Sequence, residues 1–314
     1  MNKTKIIIAG IGGVGGYFGG LLAHHWEDDQ AVEIHFLARG EHLKQIKAQG
    51  LKVIKGDESF VARPTSATDN PADIGKVDFV IVCTKTYDLE SVIEQLRPNI
   101  DDQTIVLPLL NGVNNQAVIQ NLLPNNLVLQ GCVYIVSRLK QAGMVENSGN
   151  IQKLFFGLDG YADKRLDWLE KLLKAASIEA HYSATISTVI WEKFIFLSSI
   201  ATATAYYDQS IGPLLAEPIH RQTLMSLIEE VIQLAKAKGV VIAPDIKEKT
   251  SSFLEGLPFD TTSSMHSDFQ AKKHKNELET LTAYVVKEGR KHKIETASYH
   301  IAYQRLSQNQ SQIT

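Results

Sequence analysis

Cysteine is scarce in this sequence: Cys83 and Cys132 are the only two in 314 residues. Each lies in an apolar run that reads as a strand, and neither has metal-ligand spacing. Two buried free thiols are expected, rather than a disulfide framework or a zinc site. An excess of one charge sign is missing as well, with 32 Lys and Arg against 35 Asp and Glu and a formal net charge of −3. Nucleic acid and anionic membranes demand clustered cations, so neither is an expected partner. Long hydrophobic runs are also lacking. The most apolar later stretch, Val189 to Ala205, contains Glu192 and Lys193 and falls short of a clean membrane span. Residues 5–9 run into glycines rather than into a long apolar core, which does not read as a secretory leader, and a cytoplasmic location is expected. The ten histidines show no paired ligand spacing, and no metal is expected.

Glycine, by contrast, is concentrated. Residues 5–23 read KIIIAGIGGVGGYFGGLLA, with seven glycines in the eleven positions 10–20. Gly10-Ile11-Gly12-Gly13-Val14-Gly15 satisfies G-x-G-x-x-G between a predicted strand, Lys5–Ala9, and a predicted helix, Gly13–His25. In that setting the first glycine permits the tight turn and the second lets backbone approach a pyrophosphate. The third allows close helix–strand packing, and the helix N-terminus offers N–H donors and a positive dipole end. Residues 10–15 are therefore the predicted cofactor loop, against the plainer reading of a packing turn. At the end of the second predicted strand, a free ribose 2′-OH would be met by Asp or Glu. The chain reads Leu37-Ala38-Arg39-Gly40 instead. Arg39 suits a 2′-phosphate through a charge-assisted contact, so NADPH is the expected cofactor, against an arginine that is merely exposed.

A chain of this length predicts two domains. Strands and helices alternate through the first half, and runs such as FVIVC and TIVLPLL are continuously apolar, as in parallel strands covered on both faces. The expected fold is α/β, an N-terminal Rossmann doubly wound parallel sheet followed by a C-terminal all-helical domain. Residues 51–54 and 60–62 read as a small excursion. From about Ser187 the pattern is helical, with candidates at 187–205, 217–238, 244–255, 267–290 and 296–307 and prolines 213, 218, 244 and 258 at the breaks. The predicted division is 1–182 for the cofactor domain and 183–314 for a substrate and catalytic domain.

Polar residues stand out where apolar ones are expected. Lys85 follows one predicted central strand and Asn111-Gly112 follow the next, at the carboxyl edge where ligands bind in open α/β sheets. Lys193 is flanked at helical spacing by Val189, Ile190, Phe196 and Leu197. Such a lysine either snorkels to water or sits in a cleft with a lowered pKa, where it can donate a proton. Ser263 and Ser264 read as helix caps, Glu277 and Glu279 as two acids further along that helix, and His266 and His274 as isolated surface residues.

The stretches GIGGVGGYFG, ARGEHL, VCTKTYD, LPLLNGV, WEKF and SSM…ELE occur in the order and spacing of the ketopantoate reductases (2-dehydropantoate 2-reductases), and the chain resembles that family over nearly its whole length. The resemblance implies NADPH, a 2-oxo acid substrate and an active site in the cleft between two domains, as in pantothenate and CoA biosynthesis. A homodimer is compatible with it. Residue by residue, it makes Lys193 the general acid and Lys85 the lysine beside nicotinamide and substrate. Asn111 becomes the asparagine of the Asn-Gly turn, Ser264 a substrate contact, and Glu277 the acid that orients Lys193 or binds substrate. One extra residue in AKKHKNE leaves Glu279 as the competing acid.

The departures carry information too. The family pattern K-x-x-x-N-x-x-x-N would place substrate-lining asparagines where this chain has Leu197 and Ala201, and a further one near Ile211. A site built to hydrogen-bond loses most of its selectivity without those groups. Two rival readings follow: a family reductase for a less polar 2-oxo compound, and a non-catalytic module sensing the NADPH/NADP ratio. The second leaves Lys193 without a role, since a sensor needs no proton donor.

Overall fold

The computed structural model describes residues 3–311. The chain forms two compact units. One runs to Leu110 and again from Asn114 to Ile186; the other comprises Asn111–Val113 and the residues from Ser187 onward.

The first unit is built on a six-stranded, all-parallel sheet. Its strands are β1 (Thr4–Ala9), β2 (Val32–Leu37), β5 (Ser66–Thr68), β6 (Phe79–Val82), β7 (Ile105–Pro108) and β8 (Leu127–Val128), in spatial order β5-β2-β1-β6-β7-β8. This is the doubly wound order of dinucleotide-binding sheets. Strand residues alternate between two buried layers: Ile6, Ile8, Ile34, Phe36 and Ile81 face one core, and Ile7, Ala9, Val80, Val82 and Val106 the other. The helices α3 (Leu89–Leu96) and α4 (Asn115–Leu122) cover the second face with Val92, Ile93, Leu96 and Ile119. With both faces covered, the strands have no polar side to show, which explains the continuous apolar runs.

The opposite face is covered by α1 (Gly13–His25) and, beyond it, a second sheet of β3 (Leu51–Lys55), β4 (Glu58–Ala62), β9 (Gln130–Gln141), β10 (Met144–Gly157) and β11 (Glu179–Tyr182). Strand β10 is its spine. It pairs antiparallel with β9, and parallel with β3 through Met144–Asn147 and with β11 through Lys153–Phe156. The supposed excursion at 51–62 thus supplies two of the five strands of this sheet, β3 and β4, which pair antiparallel with each other. Its pairing partners lie some ninety positions along the chain, so local pattern could not reveal it. The helices α2 (Gly40–Gln49) and α5 (Lys164–Ala175) complete the unit; β5, α5 and β11 were not anticipated.

The glycine run now divides into two sets. Gly10 has φ +93°, a left-handed value open to glycine, and a β-carbon there would lie 2.8 Å from Thr84 Cγ2. A β-carbon at Gly15 would run into the Gly10 carbonyl, at Gly13 into the Ser137 carbonyl of β9. At Gly16 or Gly20 it would lie 2.5 Å from Val145 Cγ2 of β10 or Val53 Cγ2 of β3. The surplus glycines therefore let α1 approach the second sheet at backbone distance. Gly12 alone in the loop faces open space, with nothing within 4 Å of a β-carbon.

The second unit is helical: α6 (Ile186–Tyr207), α7 (Ile211–Ala216), α8 (Pro218–Ala237), α9 (Ile246–Glu255), α10 (Ser264–Gln270), α11 (Tyr284–His292) and α12 (Ala297–Ser311). Its core joins Trp191, Phe194 and Ile195 of α6 to Leu227, Ile228 and Val231 of α8 and to Val285 and Leu306. By length and composition α6 could cross a membrane, but 61% of its most apolar window is buried within the fold, as in a core helix. The continuous helix expected over 267–290 is corrected. Residues 271–277 are non-helical, and a π turn spans Glu279–Ala283 just ahead of α11. His266, expected at the surface, is 3% exposed. Its Nε2 donates to Asp208 Oδ1 at 2.7 Å and its Nδ1 meets the Thr262 hydroxyl, a polar lining that lets a histidine sit inside a helical core.

Overpacking a backbone contact costs about 1–3 kcal/mol. Gly13→Ala is expected to lower stability by that order in urea unfolding, because the neighbouring Ser137 carbonyl cannot rotate away. Gly12→Ala, with open space around its new methyl, should leave the midpoint unchanged.

Candidate active site

The carboxyl ends of parallel strands share one edge of a sheet, and the predicted cofactor residues of the first unit are strung along it. Gly10–Gly15 follow β1 directly, Arg39 follows β2 after Ala38, and Lys85 follows β6 after Cys83 and Thr84. The loop is held by its own backbone: Gly10 N–H donates to the Leu37 carbonyl at 3.2 Å, and the Cys83 N–H to the Ala9 carbonyl at 2.8 Å. The first helical bond of α1 there runs from Gly16 N–H to Gly12 O at 2.8 Å, and no side chain caps the helix. The preceding N–H groups of this first turn are left for a ligand, as helix geometry requires. With Gly12 open on its Cα side, the cradle fits a pyrophosphate.

Arg39 is exposed at the N-cap of α2, next to Gly40 at φ +61°. Its guanidinium has no hydrogen bond or ion pair with the described residues, so its donors are available to an anion. Between the end of β2 and α2 the chain carries Ala38 and Arg39 and no acid. Glu41, the next acid along the chain, is turned to Gln45 and Lys44 on its own helix, at 2.9 and 3.5 Å. Lys85 is exposed at the start of a short 3₁₀ turn, Thr86–Asp88. Cys83 lies beneath the loop, where burial pushes its thiol pKa well up and keeps it protonated. Both cysteines are free thiols.

In the second unit, four residues singled out in the sequence stand in one line of contacts. Lys193, half-buried on α6, donates from Nζ to Asn111 Oδ1 at 3.1 Å. The Asn111 amide Nδ2 lies 3.5 Å from Glu277 Oε1, and the Ser264 hydroxyl lies 3.5 Å from Glu277 Oε2. Asn111 comes from the segment directly after β7, yet it belongs to this unit, and Val113 packs on its core. Glu277 is only 2% exposed. A carboxylate removed from water must be met by donors, and the asparagine amide and serine hydroxyl are placed for that. Asn111 thus bridges Lys193 and the buried Glu277, accepting from the one through Oδ1 and turned to the other through Nδ2.

Glu279, the competing acid, is exposed and turned elsewhere, with Lys287 Nζ at 2.6 Å and Tyr303 OH at 2.8 Å. Ser263, not Ser264, is the N-cap of α10, accepting from His266 N–H at 3.0 Å. That leaves the Ser264 hydroxyl for Glu277. Of the positions where the sequence pattern lacks asparagine, Leu197 is half-buried against the helical core, and Ala201 and Ile211 are each 1% exposed within it.

Sequence reasoning missed a set of buried hydroxyls on the helix that carries Lys193. Ser198, Ser199, Thr202 and Thr204 on α6 are all fully buried and hydrogen-bonded. The signal was present: hydroxyl residues at 198 and 202, one turn apart in an apolar helix, mark a polar stripe.

The model of the family described as "Ketopantoate reductase PanE/ApbA" matches residues 6–159, and that of its C-terminal part matches residues 185–310. The uncharacterized oxidoreductase YkpB of Bacillus subtilis (strain 168) is 30% identical over 269 residues, 85% of this chain and 86% of that protein. The crystal structure of 2-dehydropantoate 2-reductase from Porphyromonas gingivalis W83 superposes with a TM-score of 0.85 at 36% identity, over 98% of this chain and all of that one. The fold is shared with D-mandelate dehydrogenase, solved as a ternary structure with NADH and anilino(oxo)acetate, at a TM-score of 0.84, 21% identity and 99% of both chains. With matches across both units, the chain belongs to the ketopantoate reductase family, a family of NAD(P)-dependent oxidoreductases.

Proposed function

We propose that the protein is an NADPH-dependent reductase of 2-oxo acids, forming 2-hydroxy acids, with ketopantoate to pantoate as the leading reaction. The observation that carries this reading is the line Lys193–Asn111–Glu277, which couples a half-buried ammonium to a buried carboxylate. When bound, the reduced nicotinamide supplies the hydride that a ketone carbon accepts. Lys193 gives its proton to the ketone oxygen as negative charge develops there, and Asn111 holds the ammonium in place to do so. Glu277 orients that pair and keeps the Ser264 hydroxyl at hand for the substrate. Gly10–Gly15 hold the pyrophosphate on the first turn of α1, Arg39 takes the 2′-phosphate, and Lys85 draws the substrate carboxylate toward the strand edge. Residues 1–182 bind the cofactor in this reading, and 183–314 carry substrate and chemistry.

A second reading keeps the chemistry and changes the substrate. One turn on from Lys193 the helix offers Leu197, and the other two positions are buried apolar residues, so no amide or hydroxyl there meets a polar substrate tail. A branched or aromatic 2-oxo acid fits that environment better than ketopantoate. The D-mandelate dehydrogenase that shares this fold was solved with an aromatic 2-oxo acid analogue. A panel of ketopantoate, branched and aromatic 2-oxo acids, followed by NADPH absorbance, separates the two. Leu197→Asn is expected to move the preference toward ketopantoate. No turnover on any of them, with NADPH still bound, overturns the reductase reading.

A hydrogen bond to a charged group contributes about 1.5–3 kcal/mol, equivalent to roughly 10- to 150-fold in affinity. Arg39→Ala should weaken NADPH binding by that factor and leave NADH binding unchanged in a fluorescence titration; equal wild-type affinity for both would remove the NADPH assignment. General acid catalysis contributes about 10²–10⁴-fold, so Lys193→Met should lower kcat by that order while NADPH affinity holds.

A further inference from the structure

The hydroxyls buried between α6 and the π turn form a continuous seam. The Tyr299 hydroxyl, from α12, lies 2.6 Å from Ser198 Oγ, and Ser198 Oγ donates in turn to the Leu281 carbonyl at 2.7 Å. One helical turn along α6, Thr202 Oγ1 meets Thr282 Oγ1 at 2.8 Å. All four side chains that carry these hydroxyls are fully buried. Leu281 and Thr282 lie inside the π turn Glu279–Ala283, where Tyr284 N–H reaches five residues back to the Glu279 carbonyl.

A π turn is a one-residue insertion into an α-helix and is less favourable than the helix it interrupts. Each residue of an α-helix advances by about 100°, so the insertion turns the residues ahead of it by that angle relative to those behind. Glu277 stands directly ahead, and its carbonyl accepts from Leu281 N–H at 2.9 Å. Behind it, Val285 and Val286 are anchored in the core. The direction in which Glu277 leaves the helix therefore depends on the π turn being kept. The Tyr299 end of the seam is itself fixed: Glu230 of α8 accepts from the N–H groups of Ser298 and Tyr299 at 2.8 and 3.1 Å. At the other end, Ser198 and Thr202 share a helix with Lys193.

We propose that Ser198, Thr202 and Tyr299 are positioning residues: the buried hydroxyl seam holds the π turn in register with α6 and thereby sets Glu277 against Asn111 and Lys193. This rests on the proposed role of Lys193 as proton donor. None of the seam residues touches substrate; each acts through the helix it pins. Packing alone would be served as well by an apolar isostere as by a hydroxyl, whereas the seam requires the hydroxyl.

The test uses the full chain with Thr202→Val, which keeps shape and removes the hydroxyl, Thr202→Ser, which keeps the hydroxyl, and Tyr299→Phe. A misplacement of the catalytic groups by a fraction of an ångström to 1 Å lowers rate by about 10- to 100-fold. Thr202→Val and Tyr299→Phe should show that loss in kcat, with NADPH affinity unchanged and Thr202→Ser close to wild type. Independently of turnover, the pH midpoint for acetylation of Lys193, read by mass spectrometry, should move in Thr202→Val and Tyr299→Phe but not in Thr202→Ser. Lowered thermal stability with wild-type kcat and an unmoved Lys193 midpoint overturns the proposal. If the wild type turns over no 2-oxo acid, the functional reading fails, while the Lys193 midpoint still decides for or against the seam. Should Thr202→Val not fold, Tyr299→Phe carries the same comparison.

Discussion

The approach of α1 to two sheets at backbone distance is the constraint on which the first unit depends. One side of the helix packs on the parallel sheet and the other on β3, β9 and β10, and at Gly13, Gly15, Gly16 and Gly20 there is no room for a β-carbon. Such packing gives up side-chain contacts and accepts the entropic cost of glycine in a helix, about 0.5–1 kcal/mol per residue. What it gains is a helix whose first turn is immobilised with its N–H groups unspent. A phosphate-binding end must be rigid in place and unsatisfied by the protein, and a helix wedged by its own backbone is both.

The second unit solves a different problem with the opposite means. Helix α6 is apolar enough to serve as the centre of a core, yet it must also carry an ammonium and face a buried carboxylate on another segment. Apolar packing tolerates small rotations of one helix against another, because its energy is non-directional. Hydrogen bonds do not tolerate them, since they weaken steeply with angle. Placing Ser198, Thr202 and Thr204 within α6, each against a fixed acceptor or hydroxyl, converts a slippery contact into an indexed one. Every one of these groups is satisfied, which is the condition for a buried polar network to order a core rather than weaken it.

How much of this was legible in the sequence follows from the range of the interactions involved. The glycine loop, Arg39 at its strand end and the alternation of the first half are local, and the parallel sheet, α1 and β2 stand where pattern placed them. The second sheet depends on pairing between β3 and β10, far apart in the chain, and reads locally as unrelated fragments. The π turn has no period of its own, and a continuous helical pattern over 267–290 concealed both it and the break at 271–277. His266 looked isolated because its partners Asp208 and Thr262 are not patterned with it. Asn111 was picked out as a strand-end residue, but its membership of the helical unit is a tertiary fact. The line through Lys193, Asn111 and Glu277 was therefore legible as a set of residue types and not as a geometry.

The two halves of the chemistry also differ in how freely sequence can change them. Pyrophosphate recognition uses backbone N–H groups and missing β-carbons, so a substitution in the loop either clashes or exposes less of the helix end. The glycines at 13, 16 and 20 meanwhile serve the packing of α1 on the second sheet, so the pattern answers to both demands. Substrate recognition, in the proposed reading, falls to side chains, and of Leu197, Ala201 and Ile211 the last two are absorbed into the core while Leu197 is half-buried against it. A polar group at Ala201 or Ile211 would need a partner of its own inside that core. Of the three positions only Leu197, on α6 one turn from Lys193, is left to bear on the proposed substrate, whereas the glycine loop bears on the proposed cofactor alone.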